Sequence, residues 1–178
     1  MSFWKKYKNL GLGGGYGIMT RMLRDDGWDA YWHDEYAQNI FAKSFVREKN
    51  KKYDLITSFE VFEHLPNPLD DIEKMLEISD NILFSTLLMP QAIPSHDWWY
   101  YGFNHGQHIS FYSRQTLETI ARKFKLNYTG TKHIHIFSKK KINPLFAYFY
   151  IRFSNYGLYP IIKKYLDSKI ESDSIQLV

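Results

Sequence analysis

Apolar positions along this chain come in short runs that alternate with amphipathic stretches, the mark of strands interleaved with helices. Lys8–Leu12 reads as a strand. It runs into Gly13-Gly-Gly-Tyr-Gly17 and then Ile18–Arg24, where Ile18, Met19, Met22 and Leu23 share one helical face. Gly27, after Asp25 and Asp26, closes that helix. Asp29–His33 reads as the second strand, Tyr36–Phe45 as a helix and Arg47–Lys52 as a solvated connector. Tyr53–Phe59 is the third strand. Leu69–Ile78 then turns Leu69, Ile72, Met75 and Leu76 inward as a helix. Asn81–Met89 is almost continuously apolar and suits a buried parallel strand. Ser113 caps a helix carrying Leu117, Ile120, Ala121 and Phe124, and Leu126–Ser138 reads as a hairpin or strand pair.

This alternation predicts an α/β sandwich on a mainly parallel sheet, ending in an antiparallel strand pair. The expected boundaries are a core at 1–141 and an aromatic helical extension at 142–178 packed on it. Hydrophobic residues at 44% and charged ones at 24% exclude wholesale disorder. The absence of Cys removes disulfides, Cys-ligated zinc, iron–sulfur clusters and thiol nucleophiles. A net charge of 23 − 19 = +4 is too small to demand nucleic acid, and none is expected as a partner. Aromatic residues reach 18%, which predicts a deep core or a stacking pocket. No run of 18 apolar residues and no export signal can be read, so a cytoplasmic location without a transmembrane segment is expected.

The glycine run carries the first chemistry. A dinucleotide fingerprint needs glycines at i, i+2 and i+5, and registers from Gly11, Gly13 and Gly15 meet Tyr16, Ile18 and Thr20 instead. No Gly-Lys dipeptide exists for a P-loop. What remains is Gly13-x-Gly15-x-Gly17 between a strand and a helix, where backbone can approach a ligand closely with N–H groups nearby. Asp34 follows at the end of the second strand, where a carboxylate can accept both hydroxyls of a ribose or, alternatively, cap a helix. Its neighbours Trp32, Glu35 and Tyr36 add flat and polar surface for an adenine. Phe59-Glu-Val-Phe-Glu-His-Leu65 then places two carboxylates and an imidazole after the third strand, a set that is costly to bury.

These pieces, in this order, resemble the class I S-adenosylmethionine-dependent methyltransferases, in the branch called methyltransferase domain 23 or 12. The matching text is Gly13–Gly17, Asp34, Tyr53–Pro68 and His108-Ile-Ser-Phe-Tyr-Ser113. The resemblance implies a Rossmann-like three-layer sandwich, shortened at its N-terminus and with extra C-terminal helices. It also implies S-adenosylmethionine as cofactor and S-adenosylhomocysteine as product. Gly13, Gly14, Gly15, Tyr16 and Gly17 would pass under the methionine moiety, Asp34 with Glu35 would hold the ribose, and Phe59 and Glu60 would lie near the sulfonium. Glu63 and His64 would line the acceptor entrance, and the acceptor would be a small molecule such as a sugar or surface-polysaccharide precursor. Two departures stand out: Gly11 occupies the place of an acid that helps bind the methionine ammonium, and only a short segment precedes the first strand.

Histidine supplies the expected base, because an imidazole near neutrality can take a hydroxyl proton. His108, His105 and His64 are the candidates, in that order. A metal site built from His105 and His108 with His96 or His64 lacks regular helical spacing, and no metal is expected. Trp98, Trp99, Tyr100 and Tyr101 are read as acceptor-pocket surface, with plain packing as the alternative. His133 and His135 are read as structural or exposed. The aromatic tail offers a surface for a homodimer. The rival readings are a degenerate, non-catalytic cofactor-fold subunit and an RNA methyltransferase using the Ser138–Lys141 basic run.

Overall fold

The computed structural model describes residues 7–104, 108–154 and 157–175. Two compact units emerge, one formed by 1–57 with 149–178 and the other by 58–148. The strand order is β2-β1-β3-β4-β6-β5, a mixed α/β architecture as expected.

In the first unit β1 (Lys8–Leu12) pairs in parallel with β2 (Asp29–His33) and β3 (Leu55–Ser58). Leu10 lies opposite Tyr31 and Ile56, and Leu10, Ala30 and Ile56 are all buried. Helix α1 (Ile18–Asp25) follows the glycine loop, but its expected apolar face is overturned. Ile18 and Met22 are exposed, while Thr20 and Arg24 are the buried residues. Arg24 tolerates burial because its charge is fully engaged. Its guanidinium sits 3.5 Å from the Phe45 ring centre, donates to Ala30 O at 3.0 Å and pairs with Asp173 at 2.7 and 2.8 Å.

Tyr36–Phe45 is not the expected helix. Asp34 Oδ1 accepts the N–H groups of Tyr36 and Ala37, and Asn39 brackets Ala42 through both side-chain atoms. Such local side-chain bonds offer the backbone an alternative to helical ones. The segment instead reaches β2 through a single parallel bridge, Trp32 to Val46. The C-terminal part of this unit holds α5 (Leu158–Lys163) and α6 (Ile170–Ile175), joined to α1 through Asp173.

The second unit holds α2 (Pro68–Ile78), β4 (Asn81–Ser85), α3 (Arg114–Lys123), β5 (Asn127–Gly130) and β6 (Ile134–Ser138). β6 pairs antiparallel with both β4 and β5, which is the expected strand pair. The apolar run from Asn81 makes regular strand only to Ser85; beyond it Leu88 forms an isolated bridge to Tyr112. Ile72, Met75 and Ile78 bury the inner face of α2, whereas Leu69 at its start is exposed. Ser113 caps α3 as expected, accepting the Thr116 N–H at 3.0 Å. The core stacks Phe62 on Phe84 at 3.9 Å, with Phe137 4.9 Å from Phe84. α4 (Pro144–Phe153) buries only Ala147 and leaves Leu145, Phe146, Tyr148, Phe149, Tyr150 and Phe153 exposed. No described helix is long and apolar enough to cross a membrane.

Candidate active site

In the first unit the loop after β1 is shaped by left-handed backbone at Gly13, Gly15 and Gly17, with φ of 68°, 52° and 88°, which side chains disfavour. A Cβ on Gly14 would lie 2.6 Å from Trp32 Cδ1, so close approach excludes any larger residue there. Trp32 Nε1 in turn donates to Gly15 O at 2.9 Å. The N–H groups of this loop are less available than the sequence suggested. Gly14 donates to His33 O, Gly15 to Asp34 Oδ2 and Gly17 to Gly14 O.

Asp34 is therefore both the end of β2 and the anchor of the loop. Its carboxylate accepts from Gly15, Tyr36 and Ala37 at 2.8–2.9 Å. Burial works to raise its pKa, but the three backbone donors outweigh it and hold the carboxyl below its ordinary range. Three of roughly four accepting positions are thus engaged within the protein. Glu35 and Tyr16 are exposed.

In the second unit the residues after β3 form a second cluster. Glu60 stands in left-handed backbone, φ 54°, an unfavourable state for a non-glycine residue. Ser85 secures it on both sides, accepting the Glu60 N–H at 2.8 Å and donating its hydroxyl to Glu60 Oε1. The sequence reading missed Ser85; its only signal is that it interrupts the apolar run of β4. Phe59 is half-buried and precedes the short 3-10 helix Phe62–His64. That helix is stitched to the 108–112 segment. Glu63 O accepts the N–H groups of Ile109 and Ser110, Ser110 Oγ donates to Leu65 O, and the Tyr112 hydroxyl donates to Phe62 O.

The stitching brings Glu63, His64 and His108 together. The His64 and His108 rings lie 5.0 Å apart, edge to face. His108 Nδ1 is 2.7 Å from Tyr100 O, and since a carbonyl only accepts, that nitrogen carries a proton, so in the neutral ring Nε2 is the one that presents a lone pair. Glu63 is fully buried, and among the described residues neither carboxyl oxygen has a hydrogen-bond partner. Burial above all pushes the Glu63 carboxyl up, against its own backbone N–H; the nearby Glu60 charge adds to the rise, and His64 and His108 oppose it.

The other predicted residues divide. His105 lies outside the described residues, and His96 is exposed. Tyr100 is buried, its hydroxyl bonded to Thr86 and to the Leu87 N–H. Trp98 packs against Tyr100, Tyr101 and Phe111, Tyr101 stacks on Phe103, and Trp99 is exposed.

Comparison with known proteins adds a family. The methyltransferase domain matches residues 8–131. Ubiquinone biosynthesis O-methyltransferases from Aliivibrio fischeri strains MJ11 and ATCC 700601 / ES114 are each 30% identical over 108 residues, covering 48% of this chain and 45% of theirs. The chain thus spans about half the length of the curated relatives it matches. Among solved structures, a methyltransferase in complex with the Haloferax volcanii Trm112 activator superimposes with TM-score 0.57 at 12% identity, over 77% of this chain and 83% of that one. A SAM-dependent methyltransferase from Thermotoga maritima does so with TM-score 0.52 at 13% identity, over 75% and 82%. These two likenesses establish the fold.

Proposed function

This chain belongs to the methyltransferase domain family, and on that premise we propose that it is an enzyme transferring the methyl group of S-adenosylmethionine to a hydroxyl of a small acceptor. The observation that carries the reading is the glycine loop held by Asp34, an ionised carboxylate at the end of β2 beside backbone that only glycine allows. A carboxylate so placed can take the ribose hydroxyls of the cofactor by exchanging its bonds to Tyr36 and Ala37. An oxygen acceptor agrees with the matched relatives, which are named O-methyltransferases. The exposed Trp99 ring and the Tyr101–Phe103 stack supply apolar faces for a flat or sugar-like acceptor, and a sugar precursor is the form proposed.

The reaction is an in-line displacement, so alignment and exclusion of water do most of the work. An acceptor oxygen forms the new O–C bond. The C–S bond breaks and its electron pair stays on sulfur, giving S-adenosylhomocysteine. The acceptor proton goes to a base, and His108 Nε2 is the base proposed, since Tyr100 O fixes the tautomer through Nδ1. Calorimetric titration with S-adenosylhomocysteine tests the cofactor half. We expect saturable one-site binding that Asp34→Ala weakens at least tenfold, with Asp34→Asn intermediate because its amide oxygen still accepts one backbone N–H. No binding at millimolar ligand overturns the enzyme reading and leaves the non-catalytic subunit.

A further inference from the structure

We propose that Tyr100 and Thr86 are positioning residues for His108: their buried hydroxyls, anchored in the sheet, hold the Tyr100 carbonyl where it keeps the imidazole in one tautomer. This rests on the reading of His108 as the base and extends it from the ring to the groups that set the ring.

Tyr100 is 3% exposed. Phenylalanine would fill the same space, and a buried hydroxyl is costly unless it is bonded. Here the Leu87 N–H donates to it at 3.0 Å, and Thr86 Oγ1 stands 3.2 Å from it. Thr86 is itself buried and fixed from β6. Its N–H donates to His133 O at 3.1 Å, and its carbonyl accepts from Nε2 of His135 at 3.0 Å. The other end of Tyr100 meets His108. The carbonyl lies 2.7 Å from Nδ1, and the two rings stand 4.6 Å apart, edge to face. The 3-10 helix Trp99–Tyr101 stops at once in left-handed Gly102, φ 61°, where a Cβ would stand 3.8 Å from His108 Cγ. Tyr100 is thus gripped by the sheet at its hydroxyl and faces His108 with its carbonyl. Its ring is a rigid spacer between the two.

A neutral imidazole without a fixed acceptor at Nδ1 exchanges between two tautomers. The Nε2–H form has no lone pair at the nitrogen proposed to take the acceptor proton. The two hydroxyls therefore act on proton transfer through His108, by keeping its proton on the far nitrogen.

The experiment is nitrogen-15 NMR of the histidine ring nitrogens in the full chain at about pH 8.5, well above the ordinary imidazole pKa of about 6.5. His108→Gln assigns the His108 signals by their absence. We expect a single Nδ1–H tautomer in the unsubstituted chain and a mixture of both tautomers in Tyr100→Phe, which keeps the ring and removes the hydroxyl. Thr86→Val should move the same signals toward the mixture, and Thr86→Ser, which keeps the hydroxyl, should leave them in place. Circular dichroism checks folding, and Thr86→Val decides the matter if Tyr100→Phe does not fold. An Nε2–H tautomer in the unsubstituted chain, or a tautomer that the folded variants leave unchanged, overturns the proposal. S-Adenosylhomocysteine binding is measured separately by calorimetry. A tautomer that responds as expected without cofactor binding removes the methyltransferase reading and keeps the anchoring of His108. Cofactor binding with an unresponsive tautomer removes the anchoring alone.

Discussion

At the residue scale, Gly11 shows how one position can separate fold from affinity. It sits in β1 opposite Trp32 and Thr57, where the resemblance to class I methyltransferases implies an acid. Nothing around it demands glycine. A Cβ there would meet Thr20 Oγ1 at 3.4 Å and Tyr31 O at 3.6 Å, both ordinary contacts. If the cofactor ammonium lies at this strand end, Gly11→Asp adds one charge-assisted hydrogen bond, worth about 1.5–3 kcal/mol. Calorimetry should then show S-adenosylhomocysteine binding about tenfold more tightly to Gly11→Asp. An unchanged affinity would mean that other groups hold the ammonium. Gly13, Gly15 and Gly17 were legible in the sequence because left-handed backbone has a compositional signature. The pairing of Glu63 with His108 was not, since the two are joined only through backbone bonds from Ile109 and Ser110.

At the element scale, β6 depends on His135, which is buried with both ring nitrogens engaged. Nε2 lies 3.0 Å from Thr86 O and Nδ1 3.0 Å from the Tyr128 hydroxyl on β5. Desolvation first, partly offset by the bond to Thr86, pushes its pKa down to about 4. The unfolded chain, with His near 6.5, therefore binds more protons than the folded one between those values. Stability is full above about pH 6.5 and falls by about 3 kcal/mol as pH drops to 4. Urea unfolding across that range should show this slope, and His135→Asn should flatten it. Elements whose partners are close in sequence were the readable ones, as with the hairpin and the Ser113 cap. The failures have two physical causes. Tyr36–Phe45 loses its helix to bonds made by Asp34 and Asn39. The face of α1 was misread because the group that makes Arg24 buriable lies 149 residues away.

At the scale of the whole molecule, the same Arg24–Asp173 pair ties the end of the described chain to the unit that carries the glycine loop. Asp173 is 2% exposed and also accepts from Arg21 at 2.9 Å. Burial alone would raise its pKa, but the two arginines hold it below the ordinary carboxylate range. Its contribution is therefore complete above about pH 4 and is lost as pH falls through the depressed folded value. Asp173→Asn should cost up to about 3–5 kcal/mol at neutral pH, since it leaves the buried guanidinium with the longer pair to Asp29, 3.3 Å away, as its remaining carboxylate partner among the described residues. Scanning calorimetry would register that as a melting temperature lower by roughly 6–20 °C. A loss under about 1 kcal/mol would show that the pair is replaceable by solvent. The arrangement also sets a timetable for synthesis. At about 5–20 residues per second, Arg24 is polymerised roughly 7–30 s before Asp173. Throughout that interval nascent α1 carries Arg24 without its Asp173 partner, so this bond closes only after nearly all of the described chain has been made.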